Sequence, residues 1–249
     1  MPVKVAVTNP DEVFYNEQAE VYCRSLPLEH FMEKTSSGTQ RKITLSSFDL
    51  IHAARPDVWC FNELLVQYPR SAAVRDIARV VPDNMVVIHD GPLRATGSFN
   101  TPFEAAAPFL VLEYVSDDNP RKDYEDNMRR YERDLRVPYY LLFEPEKQLL
   151  SLFRLPARGR KYRGVPANDA DRMPIPELEL EVATLDGWVR FWFRGKLLPL
   201  PADMMKELEE AKKRLRRVRR EAAEAERRAA TAEAELAKLR AEIERLKGG

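Results

Sequence analysis

Cysteine is scarce in this chain, with only Cys23 and Cys60. Their spacing gives neither a metal-ligand pattern nor a disulfide framework, which excludes a zinc-ribbon or disulfide-stapled scaffold and fits a reduced cytoplasm. Net charge is absent as well: 40 Lys+Arg balance 40 Asp+Glu. Any contact with nucleic acid must therefore come from a local patch. No apolar run is long enough for a membrane span, and the N-terminus lacks the charged-then-apolar start of a signal peptide. Of the three histidines, His30, His52 and His89, no two have a metal-binding spacing such as H-x₃-H. Only His89, just past one of the strands below, stays a candidate.

Proline and glycine are missing from one end. All 18 prolines lie at or before Pro201, and after Gly195 the only glycines are Gly248 and Gly249. The chain thus reads as an N-terminal segment (1–28), a Pro-interrupted globular domain (29–199) and an uninterrupted helix (203–247). In that helix Leu208, Leu215, Ala222, Ala229, Leu236 and Ile243 recur every seventh residue, each followed three residues later by Ala211, Val218, Ala225, Ala232, Leu239 or Leu246. Such a heptad specifies a left-handed coiled coil. In a parallel homodimer Glu207–Lys212, Arg228–Glu233, Glu235–Arg240 and Glu242–Lys247 attract, whereas Arg214–Arg219 and Glu221–Glu226 repel. The balance favours a parallel homodimer, with docking onto another protein's helix as the alternative. Lys212–Arg220 (KKRLRRVRR) is strongly basic, and reads either as a solvated coil face or as a track for a phosphate backbone.

The globular part is organised around Pro108–Glu146, which predicts strand, loop, helix and strand. Phe109–Val115 is apolar apart from Glu113. Alternation along a strand places Glu113 on the face of Phe109, Val111 and Val115. A carboxylate in such company costs several kcal/mol unless it is paired, hydrogen-bonded or metal-bound. Upstream, Arg79–Ile88 forms two β-type runs broken by Pro82-Asp83. Pro56-Asp57 follows a helical segment and reads as a turn. Tyr124, Met128, Tyr131 and Leu135 follow helical spacing and predict a buried stripe bordered by Asn127, with Asp123 charging the first turn.

Pro-Asp, a strand ending in Glu-x-x-Ser, a polar loop, a helix with Asp and Tyr, and VPYYLLFEP together resemble the Uma-two family, bacterial proteins assigned as restriction endonucleases of the PD-(D/E)xK nuclease superfamily. The resemblance covers roughly Glu29–Pro199 and is strongest over Val80–Pro145. It implies an α/β (α+β) fold: a restriction-endonuclease-like mixed β-sheet flanked by helices, followed here by the coiled-coil helix. It further implies that Asp83 and Glu113 lie side by side and bind Mg²⁺ or Mn²⁺, with the Tyr114 carbonyl as a third ligand. Glu33, with Glu29 as its rival, matches an additional acid that the family places near its N-terminal helix.

The sequence departs from that pattern at the catalytic lysine. The superfamily position, two residues after the acid, is Val115. The family's alternative, four residues before the helix tyrosine, is Asn127. Cations nearby are Lys122, Arg129 and Arg130. Asn127 with Arg130 is the candidate replacement, and Lys122 with Arg129 the candidate contact to nucleic acid. A locally basic stretch, Arg158–Arg163, reads as an exposed hairpin tip or a phosphate contact.

Elsewhere the pattern predicts a helix over Asp11–Arg24 and a second one capped by Thr44 and running to about Ala53. Strands are expected at Val58–Phe61, Leu64–Tyr68, Ile175–Val182 and Trp188–Phe193, a hairpin of Tyr139–Phe143 with Leu149–Leu155, and a long loop over Gly91–Pro108. Three readings of function follow: an Mg²⁺-dependent endonuclease acting on DNA and dimerised by its tail, a nuclease fold that binds DNA without hydrolysis, and a coiled-coil assembly protein whose head binds protein.

Overall fold

In chain order the computed structural model comprises α1 (Pro10–Ser25), α2 (Thr35–Ala54), β1 (Val58–Asn62), β2 (Val66–Pro69), β3 (Ile77–Val80), β4 (Asn84–Ile88), β5 (Phe99–Asn100) and β6 (Pro108–Tyr114). Two π-helical segments follow, Lys122–Asn127 and Arg130–Asp134. The chain continues with β7 (Tyr139–Glu144), β8 (Leu149–Arg154), β9 (Arg163–Gly164), β10 (Met173–Ile175), β11 (Leu180–Leu185), β12 (Trp188–Phe193), β13 (Lys196–Leu197) and α3 (Pro201–Lys247). The structure describes residues 9–27, 35–115 and 121–247. It divides into two units between Leu198 and Pro199.

The first unit is a mixed α+β fold. Its six-stranded sheet has the order β1-β4-β6-β7-β8-β9, with β6 and β7 parallel and the other neighbouring pairs antiparallel. A parallel pair needs a crossover, and the π-helical segments lie within it. Alternation along β6 and β7 sends side chains to two apolar cores. Leu110, Leu112, Tyr114, Tyr139, Leu141 and Phe143 pack with α2 and the β10-β11-β12-β13 sheet. Val111, Val115, Tyr140 and Leu142 pack with Tyr131 and the small β3-β2-β5 sheet.

The strand expectations hold to within two residues, and the helix over Asp11–Arg24 is α1. Three local readings are corrected. Thr44 is no N-cap: α2 starts at Thr35, because a buried Gln40 lets the helix run on by bonding the Val189 backbone at both its amide atoms, 3.1 and 2.8 Å. Thr44 instead lies buried mid-helix, where its hydroxyl accepts from the Tyr114 phenol at 2.9 Å. Phe109 does not share the face of Glu113. The ladder shifts between Val86 and Val87, whose partners are Leu110 and Pro108. The extra residue turns Phe109 to the α2 side, as a β-bulge does. Finally, the 91–108 stretch carries β5, paired in parallel with β2.

The second unit is one helix of 47 residues, ~70 Å at ~1.5 Å per residue. Leu208, Leu215, Val218, Leu236, Leu239 and Ile243 are 48–56% exposed along it. Flanking charges pair within the helix, as in Arg217–Glu221 and Arg220–Glu224. No helix of the described residues is long and apolar enough to cross a membrane.

Candidate active site

The β4/β6 register pairs Asn84 with Leu112, so one step further Asp83 stands opposite Glu113. Directly opposed residues share a face, which brings the two carboxylates together at the end of the sheet. The Asp83 backbone N–H donates to Glu113 Oε2 at 3.3 Å. The Tyr114 N–H donates to Asp83 Oδ2 at 2.7 Å. Glu113 is 2% exposed. Its Oε1 accepts from the Tyr131 hydroxyl at 2.6 Å and from Asn127 Nδ2 at 3.2 Å.

Asn127 is fully buried and uses its amide as a bridge, because the same Nδ2 also donates to Asp123 Oδ1 at 3.0 Å. Asp123 is 4% exposed, and its backbone carbonyl accepts from the Tyr140 hydroxyl at 3.0 Å. The winding explains the alignment. In the π-helical segments the bonds run from residue i to i+5, for example Leu135 N–H to Arg130 O at 3.0 Å, and such turns are wider than an α-helical turn. Residues four apart then lie nearly in line, so Asp123, Asn127 and Tyr131 form the buried stripe. Tyr124, Met128 and Leu135 flank it, only partly buried, which corrects the stripe expected from a period of 3.6.

Burial dominates the electrostatics. Loss of solvent pushes the Glu113 carboxyl well above its ordinary range, helped by the like charges of Asp83 and Asp123. Burial raises Asp83 too, against the pull of the Tyr114 N–H, Arg41 and Lys122. Asp123 is pushed up to about 6, again chiefly by burial, with Lys122 drawing it down and Asp83 adding to the rise. Arg41, only 12% exposed on its side chain, reaches from α2 to Asp83 Oδ1 at 3.3 Å and Glu63 Oε1 at 3.0 Å.

Other sequence candidates fall in different places. Arg130 reaches only the Asn127 amide oxygen, at 3.5 Å, away from the carboxylates. Arg129 is exposed and paired with Asp126 at 3.2 Å. Lys122 is exposed, yet its charge acts on Asp83, Glu113 and Asp123 alike. The Tyr114 phenol points through the sheet to Asn84 and Thr44, so only its backbone is on the acidic side. His89 follows the far end of β4, ~16 Å of strand from Asp83 at ~3.3 Å per residue. Asp57 lies in a turn and pairs with Arg55 at 2.5 Å. Glu29 and Glu33 lie outside the described residues.

Sequence reasoning missed Arg41, Asp123 as a neighbour of the acids, and the Tyr131 hydroxyl. Only the second and third had a signal, the spacing Asp123-x₃-Asn127-x₃-Tyr131.

Among the described residues no three His, Cys, Asp or Glu side chains converge to cage a metal. The Asp83–Glu113 pair nevertheless offers hard oxygens, the donors that Mg²⁺ and Mn²⁺ prefer, and Mg²⁺ commonly binds through one or two carboxylates with water. A cation there would relieve the repulsion between the two acids. The donor chemistry fits such an ion.

Comparison with known proteins agrees with this architecture. No curated protein matches the chain. Among solved structures the chain is similar to a "putative nuclease belonging to DUF820" from Anabaena variabilis ATCC 29413, at 17% identity over 59% of this chain and 75% of that one, with a TM-score of 0.42. The family model Uma2, described as "putative restriction endonuclease", matches residues 30–186. That match takes in β1 through β11 with the whole acidic cluster, and on it the chain belongs to the Uma2 family.

Proposed function

We propose that the chain is a divalent-metal-dependent endonuclease that hydrolyses DNA phosphodiester bonds. The observation that carries this reading is the cross-strand Asp83–Glu113 pair, held in place by the Asp83 and Tyr114 N–H groups. Asp83, Glu113 and the Tyr114 carbonyl would hold Mg²⁺ or Mn²⁺. When bound, such an ion polarises a phosphoryl oxygen and lowers the pKa of a water molecule. The chain's own residues set up that pair. Arg41 fixes Asp83, while Tyr131 and Asn127 fix Glu113. Hydrolysis adds the oxygen of water to phosphorus and releases the sugar oxygen. One proton of the water ends on that leaving oxygen, and the other is lost to solvent from the new phosphate monoester.

The α3 heptad supports a parallel homodimer, which suits cutting two strands with two sites, in a cytoplasmic setting. Asn127 in place of the family lysine favours a second reading, in which the fold binds DNA without cutting it. The test is nicking of supercoiled plasmid with Mg²⁺ or Mn²⁺ by wild type, Asp83→Ala and Glu113→Ala. Metal-dependent nicking lost in both variants supports the endonuclease. Salt-sensitive DNA binding with no nicking by folded wild type supports the second reading.

A further inference from the structure

The family's lysine positions hold Val115, buried among apolar side chains, and Asn127, whose amide is spent on two carboxylates and carries no charge. Phosphodiester hydrolysis needs a positive group close to the reacting phosphate. Four cations surround the cluster, and their contacts separate them. Arg41 is committed to Asp83 and Glu63. The Arg130 guanidinium stops at the far side of the Asn127 amide. Arg129 is turned to Asp126 at the exposed face. Lys122 remains. It opens the π-helical segment immediately before Asp123, whose buried carboxylate is joined through Asn127 to Glu113.

Resting on the endonuclease reading, we infer that Lys122 is the catalytic cation of this chain, its ammonium standing against the scissile phosphate in place of the missing family lysine. Three observations support the position. Lys122 is solvent-exposed and so available to a substrate. Its side chain is long and flexible. Its charge draws down all three acids of the cluster, which a lysine turned away would not do. Asn127 then serves differently, as a positioning residue that spaces Asp123 from Glu113.

The experiment compares plasmid nicking by wild type, Lys122→Ala, Lys122→Arg and Arg129→Ala, with Asp83→Ala as the inactive reference. It also follows the Asp123 carboxyl by carbon-13 NMR pH titration in metal-free protein. Lys122→Ala is expected to lower kcat ~100-fold or more, the usual cost of a lost transition-state partner. Lys122→Arg keeps the charge and loses about tenfold. Arg129→Ala stays within about threefold. In the titration Asp123 rises in Lys122→Ala and stays put in Arg129→Ala.

Nicking by Lys122→Ala within threefold of wild type, with Asp83→Ala inactive, overturns the role of Lys122 and leaves the endonuclease standing. An unmoved Asp123 titration in Lys122→Ala also overturns it, because the ammonium then faces elsewhere. Inactive wild type overturns the endonuclease reading and this one together.

Discussion

Replacing Asp123 by asparagine should make the metal-free protein more stable at neutral pH. Asp123 titrates at about 6 in the folded chain, against 3.8 for an ordinary aspartate. Such a carboxyl is still protonated in the folded state when the unfolded chain has already ionised. The folded state therefore holds the extra proton between about pH 4 and 6, and stability falls as pH rises through that window. Above it the whole penalty persists. Roughly two pKa units at ~1.4 kcal/mol each amount to ~3 kcal/mol.

The amide in Asp123→Asn would keep an oxygen to accept from Asn127 and would carry no charge, so the variant should recover most of that amount at pH 8 and little at pH 4. For a domain of this size ~3 kcal/mol corresponds to a Tm rise of roughly 6–12 °C. Thermal and urea unfolding of wild type and Asp123→Asn in a chelator, from pH 4 to 8, measures it. Equal stability at pH 8, or an unchanged slope between pH 4 and 6, would refute the reasoning.

Asn127→Lys restores the family lysine between two carboxylates and should raise nicking at least tenfold; a fall would show that the amide bridge matters more than the charge. Tyr131→Phe removes the 2.6 Å hydrogen bond to Glu113 and should cost ~1–2 kcal/mol by urea unfolding, together with weaker Mn²⁺ binding by calorimetry. Arg41→Ala breaks a mostly buried pair with Asp83. It should destabilise the fold by ~3 kcal/mol and move the acidic limb of the pH–rate profile upward, since Asp83 loses a cation that favours its ionised form. Leu215→Lys together with Leu236→Lys on α3 should convert a dimer to monomer in sedimentation, with the secondary structure of the first unit unchanged.

Much of this arrangement was legible because it is local. Glu113 stood out as a charge in an apolar strand, Pro82-Asp83 lay between β-type runs, and β7 with β8 followed from alternation. What was not legible depends on distant partners or on winding. Arg41 meets Asp83 across 42 positions, and nothing near Arg41 announces it. Thr44 looked like a cap because its deeper partner, Tyr114, is 70 residues away. Phe109 changed face through one bulge. Asp123 passed for a first-turn charge because a period of 3.6 was applied where the backbone bonds i to i+5.

That winding gives the site an unusual dependence on chain length. A π turn spends more residues per turn than an α turn. Removing one exposed residue such as Arg129 would let the segment relax to α-helix and would swing everything before the cut by ~100° relative to everything after it. Tyr131 would then keep its place above Tyr140 while Asp123 and Asn127 rotated off Glu113, and the acidic pair would lose its bridge with every one of its side chains intact.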